Sequence, residues 1–352
     1  MRLAVVSDAW RPQVNGVVHT IAKVTGILAE RGHRVEVFGP ERFSTIPCPT
    51  YPEIRLVVGA KTGLRRFLAE FQPDAMHIVT EGPLGWAARR ICLERGWPFT
   101  TSYHTRFPEY VHARAHVPLS WTYALLRRFH APASGMLVVT ESIRAELQRR
   151  GFRNIKPWSR GIEIDKFGIR SEAQDLDPRP IWLYAGRVAV EKNIEAFLAL
   201  DLPGTKWVVG GGPQLAPLRR RYPAVRFFGS VEHRELAFRY AQADCFVFPS
   251  RTDTFGNVMV EALASGLPVA AYPVPGPIDV ITHPVLGRLD EDLRAACLAA
   301  VSLPDPAARR AYAATTYTWQ GCADQFLANL APMPNRQPED LGVAGLQATR
   351  GG

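Results

Sequence analysis

Short apolar and β-branched runs alternate with helical patterns along nearly the whole chain. In the first half the strand-like runs are Leu3–Ser7, Arg34–Phe38, Ile54–Val58, Ala75–Val79, Phe99–Tyr103 and Met136–Thr140. Between them lie amphipathic stretches. Ile21, Val24 and Leu28 line one face of a helix over Gly16–Arg31 that Gly32 ends, and Leu84–Arg95 and Ser142–Arg150 read alike. The second half begins the pattern again, with strands at Ile181–Ala185, Lys206–Val209, Val225–Phe228, Cys245–Phe248 and Val269–Ala271. Its helices fall at Glu232–Ala243 and Asn257–Ser265, and the last clear helix is Thr318–Leu330. Such alternation specifies parallel, doubly wound sheets covered by helices on both faces. Two series specify an α/β chain of two Rossmann-like domains. They join near Arg160–Phe167, followed by the polar, proline-bearing stretch Ser171–Pro180, and residues 331–352 read as a loose tail.

Length agrees: 352 residues suit two domains at roughly 100–200 residues each. A chain 47% hydrophobic and 21% charged is an ordinary globular one. Cys48, Cys92, Cys245, Cys297 and Cys322 are scattered, odd in number and without a CxxC pair. That argues against a disulfide framework or a zinc site and fits a reducing cytosol. The chain runs from Met1-Arg2 straight into its first strand, and no apolar run approaches the roughly 20 residues that span a bilayer. A protein neither secreted nor integral is expected.

Charge changes the picture more. Of a net +9, residues 1–170 carry 25 Lys and Arg against 14 Asp and Glu, a net +11, and residues 171–352 carry 17 against 19, a net −2. The first half is therefore expected to face an acidic partner, and a membrane surface, an anionic substrate and a nucleic acid all satisfy that. The interleaved aromatics and motifs of a nucleic-acid protein are missing, so no nucleic acid is expected. No GxGxxG follows the first strand, which disfavours a dinucleotide dehydrogenase.

Open α/β sheets bind ligands beyond the carboxyl ends of their strands. After Ile181–Ala185 come Gly186 and Arg187, then Lys192, two cations that suit a diphosphate or are a pair of solvated surface charges. After Lys206–Val209 comes Gly210-Gly-Gly-Pro213, where Gly211 and Gly212 permit close approach of a ligand or make a plain tight turn. After Cys245–Phe248 a loop bearing Asp253, Phe255 and Gly256 leads into a helix that starts with Asn257 and Val258. Its backbone N–H groups and helix N-terminus form an anion site. Glu261, one turn inside, leans back toward that N-terminus and can accept from a ribose diol. Asp253 can reach sugar hydroxyls on the far side.

The segment from Asp253 to Glu261, with Ala264-Ser-Gly-Leu-Pro268 behind it, resembles the acidic-x7-Glu signature of retaining glycosyltransferases of family 4, which have the GT-B fold. Gly186-Arg187 with Glu191-Lys192-Asn193 is similar to that family's phosphate stretch. Pro12-Gln-Val-Asn15-Gly16 resembles its glycine-rich loop, and Tyr103-His104-Thr105 its histidine position. The local texture is most similar to GDP-mannose-dependent α-mannosyltransferases and to relatives that glycosylate diacylglycerol. Many members carry Glu where this chain has Asp253, one methylene shorter. The resemblance implies an acceptor-side domain over residues 1–164 and a nucleotide-sugar domain over 165–316. It implies a closing helix over 317–330, expected to pack back on the first domain.

The expected reaction moves a hexose from a GDP- or UDP-sugar with retention, without cofactor or metal. Arg187, Lys192 and the helix N-terminus would absorb the leaving diphosphate's charge. His104 would reach the sugar or the acceptor, and Asp8 and Glu81 are acceptor-side candidates. Asp175-Leu-Asp177 and Asp290-Glu-Asp292 are not set at strand ends where they would hold a metal–diphosphate pair. Lys61–Phe71, with Leu64, Phe67, Leu68 and Phe71 on one face, and Trp121–Phe129 read as basic amphipathic helices, either packed on the sheet or facing an anionic bilayer. The lean is to a cytoplasmic enzyme, peripheral at the inner face of the membrane, with a lipid or lipid-linked acceptor. A nucleotide-sugar epimerase and a non-catalytic nucleotide-sugar binder are the alternatives.

Overall fold

The computed structural model describes residues 1–13, 15–48, 51–169 and 177–334. Residues 170–176 of the linker region, Asp175 among them, and residues 335–352 of the expected tail lie outside these. The first half forms β1 (Arg2–Val6), β2 (Arg34–Phe38), β3 (Thr45–Cys48), β4 (Tyr51–Val57), β5 (Ala75–Ile78), β6 (Thr100–Tyr103), β7 (Gly135–Val138) and β8 (Ile155–Pro157). Six of them make a parallel sheet in the order β2-β1-β5-β6-β7-β8. The second half forms β9 (Ile181–Ala185), β10 (Thr205–Val209), β11 (Arg226–Gly229), β12 (Cys245–Phe248), β13 (Val269–Ala271) and β14 (Gly287–Leu289). They make a second parallel sheet, β11-β10-β9-β12-β13-β14.

The two-residue period of a strand decides which core each side chain enters. Leu3 and Val5 face one side of the first sheet, with Ile21, Val24, Leu28 and Trp158, while Ala4 and Val6 face the other, with Leu64, Leu68 and Ile91. In the second sheet Leu183 and Ala185 meet Met259 and Leu263, and Trp182 and Tyr184 meet Ile194 and Phe197. Both sheets are thus covered on both faces, as continuous apolar strands require.

One expected sheet strand is placed differently. Residues 54–58 do not join the large sheet; β4 pairs antiparallel with β3, with Thr45 opposite Val57. Arg55 is exposed there, and an antiparallel hairpin tolerates such a wet position where a central parallel strand does not.

The helix Ala60–Phe71 is also settled as core. Leu64, Leu68 and Phe71 are buried, and Lys61 and Arg65 are held by Glu94 at 2.6 and 2.5 Å. Its apolar stripe therefore packs on the first sheet and is not offered to a bilayer. The helix Leu119–His130 divides its apolar residues. Tyr123, Leu126 and Phe129 are buried, whereas Trp121 and Leu125 stand 71% and 50% exposed.

The chain finally returns to the first domain. The helix Trp319–Asn329, capped by the Thr318 hydroxyl on Gly321 N–H, inserts Trp319, Cys322 and Phe326 beside Leu3 and Val5. The Trp158 indole N–H donates to the Cys322 carbonyl at 3.1 Å, and Arg31 pairs with Asp324 at 2.5 Å. Phe326 is fully buried. Phe326→Ala is expected to destabilise the first domain by about 3–5 kcal/mol, read as a lowered urea midpoint. An unchanged midpoint would remove this helix from the first domain's core.

Candidate active site

Strand order in the second sheet reverses between β9 and β12, so the loops following these two strands flank a topological switch point. They are laced together. Asn193 Nδ2 donates to the Pro249 carbonyl at 3.0 Å, and Thr252 Oγ1 donates to the Glu191 carbonyl at 3.0 Å. Across the gap the Lys192 ammonium is hydrogen-bonded to Asp253 Oδ1. Burial disfavours the Lys192 charge, yet Asp253, Tyr110 and Glu191 together outweigh it, and the lysine pKa ends above its ordinary value. Asp253 Oδ2 is buried with no hydrogen-bond partner among the described residues. Arg187 is exposed on the same loop as Lys192, and its carbonyl accepts the Tyr184 hydroxyl at 2.8 Å.

The loop after β12 turns into the helix Asn257–Ala264 through Gly256, whose φ of +89° suits glycine alone among common residues. A β-carbon there would also sit 2.8 Å from Met259 Cε and 2.9 Å from Phe248 Cζ. The first N–H groups of the helix, including those of Asn257 and Val258, have no intrahelical acceptor. Phe255 is buried against Tyr317, ring centroids 5.5 Å apart, so it offers its backbone and not its ring. Glu261 Oε2 accepts the Tyr240 hydroxyl at 3.0 Å. Burial raises the Glu261 pKa to about 7 against the opposing pull of that hydrogen bond.

Two of the glycines after β10 have a structural reason of their own, beside any ligand approach. β-Carbons at Gly210 and Gly212 would lie 1.8 and 2.3 Å from the carbonyl oxygens of Gly186 and Val188. These glycines let two neighbouring loops touch, with Val188 N–H donating to the Gly211 carbonyl at 2.8 Å and Gln214 N–H to the Val188 carbonyl at 3.0 Å.

The first domain closes over this site from the carboxyl ends of its own strands. A β-carbon on Gly16 would lie 3.4 Å from the Asn257 side-chain nitrogen, so the loop after β1 abuts the helix Asn257–Ala264. His104 follows β6, and its carbonyl accepts Thr254 Oγ1 at 2.8 Å. Its Nδ1 is 3.2 Å from the Arg160 guanidinium, and its Nε2 is buried without a partner among the described residues. Burial first, then Arg160 and His77, hold its pKa well below the ordinary histidine value. Asn15 caps the helix Gly16–Glu30, accepting from Val17 and Val18 N–H at 3.0 Å each.

Of the two acceptor-side carboxylates, Asp8 is corrected. It accepts from Leu84 N–H at 2.8 Å, Gly85 N–H at 3.1 Å and Thr80 Oγ1 at 2.9 Å. It is 8% exposed and caps the helix Pro83–Arg95, so its oxygens are committed to the fold. Glu81, just after β5, is partly exposed; its carboxylate lies 3.1 Å from His130 Nε2, and His130 Nδ1 lies 2.9 Å from Thr101 Oγ1. The linker and loop acids have structural partners: Asp177 accepts the Trp207 indole N–H at 2.8 Å, and Asp292 caps the helix Leu293–Val301.

Two residues escaped the sequence reading. Tyr110 belongs to the first-domain helix Phe107–Ala115. Burial first, then Asp253 and Glu191 against the opposing Lys192, push its hydroxyl pKa up, so it lies in the field of the second-domain loops. Arg160 touches His104 from a segment read only as a domain join. Neither position carries a motif that would have flagged it.

Residues 14–166 match the family model described as Glycosyltransferase Family 4, and residues 179–303 match the one described as Glycosyl transferases group 1. A GDP-mannose-dependent alpha-mannosyltransferase of Mycobacterium tuberculosis is 30% identical over 82% of this chain and 83% of its own. The chain belongs to glycosyltransferase family 4. An alpha-monoglucosyldiacylglycerol synthase of Streptococcus pneumoniae is 28% identical, covering 87% of this chain and 79% of its own. The solved sucrose-phosphate synthase of Thermosynechococcus elongatus superposes with a TM-score of 0.77 at 20% identity, over 93% of this chain and 97% of the other. The fold is GT-B, and the two sheets with their facing loops are its two halves. This glycosyltransferase thus sets Lys192, Asp253, Glu261 and the Asn257 helix end around one switch point, with Gly16 and His104 abutting from the opposite domain.

Two outcomes follow for this site. Asp8→Ala leaves helix N–H groups buried and unmet, and is expected to lower stability by about 1–3 kcal/mol while nucleoside diphosphate affinity stays unchanged; a lost affinity with intact stability would return Asp8 to the substrate. Because folding lifts the Glu261 pKa, the native state holds a proton that the unfolded state releases between the ordinary carboxylate range and about 7. Stability tied to this group is therefore present at low pH and lost as pH rises through that window. Glu261→Gln is expected to raise Tm at pH 8, by the equivalent of at most about 3 kcal/mol, and to leave it nearly unchanged at pH 5. Equal Tm differences at both pH values would contradict the buried-acid assignment.

Proposed function

We propose that this glycosyltransferase transfers a hexose from a nucleoside diphosphate sugar, with retention and without a metal, to a lipid or lipid-linked acceptor at an anionic membrane surface. The observation that carries the donor half is the divided Asp253 carboxylate, with Oδ1 on Lys192 and the buried Oδ2 unmatched beside a helix N-terminus. A diphosphate competes with Asp253 for Lys192 and gains the N–H groups of Asn257 and Val258, while Oδ2 accepts a hydroxyl of the hexose. Glu261, ionised on binding, accepts from the ribose. The bond from the anomeric carbon to the diphosphate oxygen breaks, and the acceptor oxygen bonds to that carbon on the same face. The acceptor's proton passes to the departing diphosphate. Arg187, Lys192 and the helix end stabilise the charge that grows there.

The Mycobacterium tuberculosis relative makes GDP-mannose the first donor to try, and the Streptococcus pneumoniae relative supports a diacylglycerol-type acceptor. Among the described residues no helix is long and apolar enough to cross a membrane, and a peripheral mode at the inner face of the cell membrane fits that reading. Trp121, Leu125 and Phe107, exposed on neighbouring first-domain helices of a half with net charge +11, supply apolar side chains for such contact.

Nucleoside diphosphate release is expected from one donor of a GDP- and UDP-sugar panel, with EDTA present, only when membrane lipid is added, and Glu261→Ala is expected to lose at least ~10-fold in kcat/KM. Turnover of donor without acceptor indicates an epimerase, and donor binding without release under any acceptor indicates a binder. Loss of turnover in EDTA, restored by a divalent cation, ends the metal-free reading. Trp121→Glu is expected to weaken binding to anionic liposomes several-fold while leaving donor affinity intact. Equal binding of wild type to anionic and neutral liposomes contradicts the surface reading.

A further inference from the structure

We infer that Arg160 is a positioning residue that holds the His104 ring with its proton on Nε2, so that this nitrogen gives a hydrogen bond to a ligand oxygen and cannot serve as a base. A guanidinium has five N–H donors and no acceptor. Its 3.2 Å contact with His104 Nδ1 is therefore a bond in which Nδ1 accepts, which leaves the ring proton on Nε2. Arg160 has little freedom to do otherwise. It is 7% exposed, donates to the carbonyls of Ser159 and Trp158 at 3.1 and 3.4 Å, and lies over the Trp158 ring at 4.8 Å. The His104 ring meets the same indole edge-on at 5.6 Å, so Trp158 is a common wall that sets both groups in register.

The consequence sits on the other nitrogen. His104 Nε2 is covered from solvent and has no partner among the described residues, and its strand end touches the Asp253–Gly256 loop through Thr254. A buried N–H left unmatched is costly, and a ligand oxygen in the cleft removes that cost. The titratable groups facing the ring, Arg160 and His77, both oppose its becoming a cation. His77 is itself neutral, held at about 3 by burial, with its two nitrogens on Thr100 Oγ1 and Ser102 Oγ at 2.9 and 2.7 Å. His104 thus gives a hydrogen bond without carrying charge, and the acceptor's proton has to leave by another route. That last step rests on the donor reading above; the ring state does not.

Nitrogen-15 spectra of histidine-labelled protein, without any ligand, test the ring state. The chain has nine histidines, so His104 is assigned by the signal missing in His104→Gln. The wild type is expected to show His104 with a bare Nδ1 and a protonated Nε2, unchanged from about pH 5.5 to 8. Arg160→Met is expected to mix the two tautomers and to move the ring's titration up toward the ordinary histidine range, and Arg160→Lys, which keeps a cationic donor, to restore the wild-type pattern. A wild-type His104 protonated on Nδ1, or titrating in the ordinary range, overturns the inference even where Arg160→Met fails to fold. So does a folded Arg160→Met protein with the wild-type spectrum. Because no donor is present, failure of the transferase reading leaves this signature intact, and loss of the signature leaves the diphosphate-release assay intact.

Discussion

The chain crosses between its two sheets twice, and those two crossings are fastened to each other. Ile162 N–H donates to the Tyr317 carbonyl at 2.9 Å, one residue from each crossing, so the two strands of the join are tied together at that point. The first crossing runs through Trp158 and Arg160, the second enters the closing helix through Thr318 and Trp319. Trp158 is buried and holds the helix by its indole N–H, while its ring carries Arg160 and, through it, His104. The segment that joins the two Rossmann units therefore also holds the His104 ring.

On the donor side the organising force is electrostatic. A lysine and a carboxylate, both mostly buried, meet between two loops that leave adjacent strands of the second sheet at its switch point. Breaking such a pair by removing one partner leaves an unmatched buried charge, which costs far more than the pair contributes. In the proposed function a diphosphate keeps Lys192 matched by negative charge, and Asp253 is relieved by a hydroxyl of the hexose. Glu261 shows the complementary logic. Burial keeps it largely protonated below about pH 7, and in the proposed function a ribose hydroxyl that needs an acceptor draws it into the ionised form.

Much of this was legible in the sequence, for identifiable reasons. The parallel strands are buried on both faces and read as uninterrupted apolar runs, which is why β1, β9 and β12 stand out. β8 and β14 are three residues each and contain Lys156-Pro157 and Gly287-Arg288, so no run exists to be seen. The acidic-x7-Glu segment is local, with its spacing fixed by one loop and one helical turn, and it could be read without tertiary information. Asp8 could not: a carboxylate at a strand end looks the same whether it faces substrate or caps a helix 76 residues away. Arg160 was hidden for the same reason, since its partner is 56 residues distant and only the packed fold brings them together. The helix Ala60–Phe71 shows the limit of amphipathic pattern, because a stripe that fits a bilayer also fits a sheet.

In the proposed function Asp253 serves Lys192 through one oxygen and the donor hexose through the other. Titrating GDP and GDP-mannose, with UDP and UDP-glucose as the second pair, into wild type and Asp253→Asn measures this directly. The bare diphosphate is expected to bind Asp253→Asn at least as tightly as wild type, because a competing carboxylate is gone, while the added affinity conferred by the hexose disappears. An equal fall for diphosphate and sugar nucleotide in the pair that binds would contradict it, leaving Asp253 as a strut for Lys192 and the sugar contact to be found elsewhere.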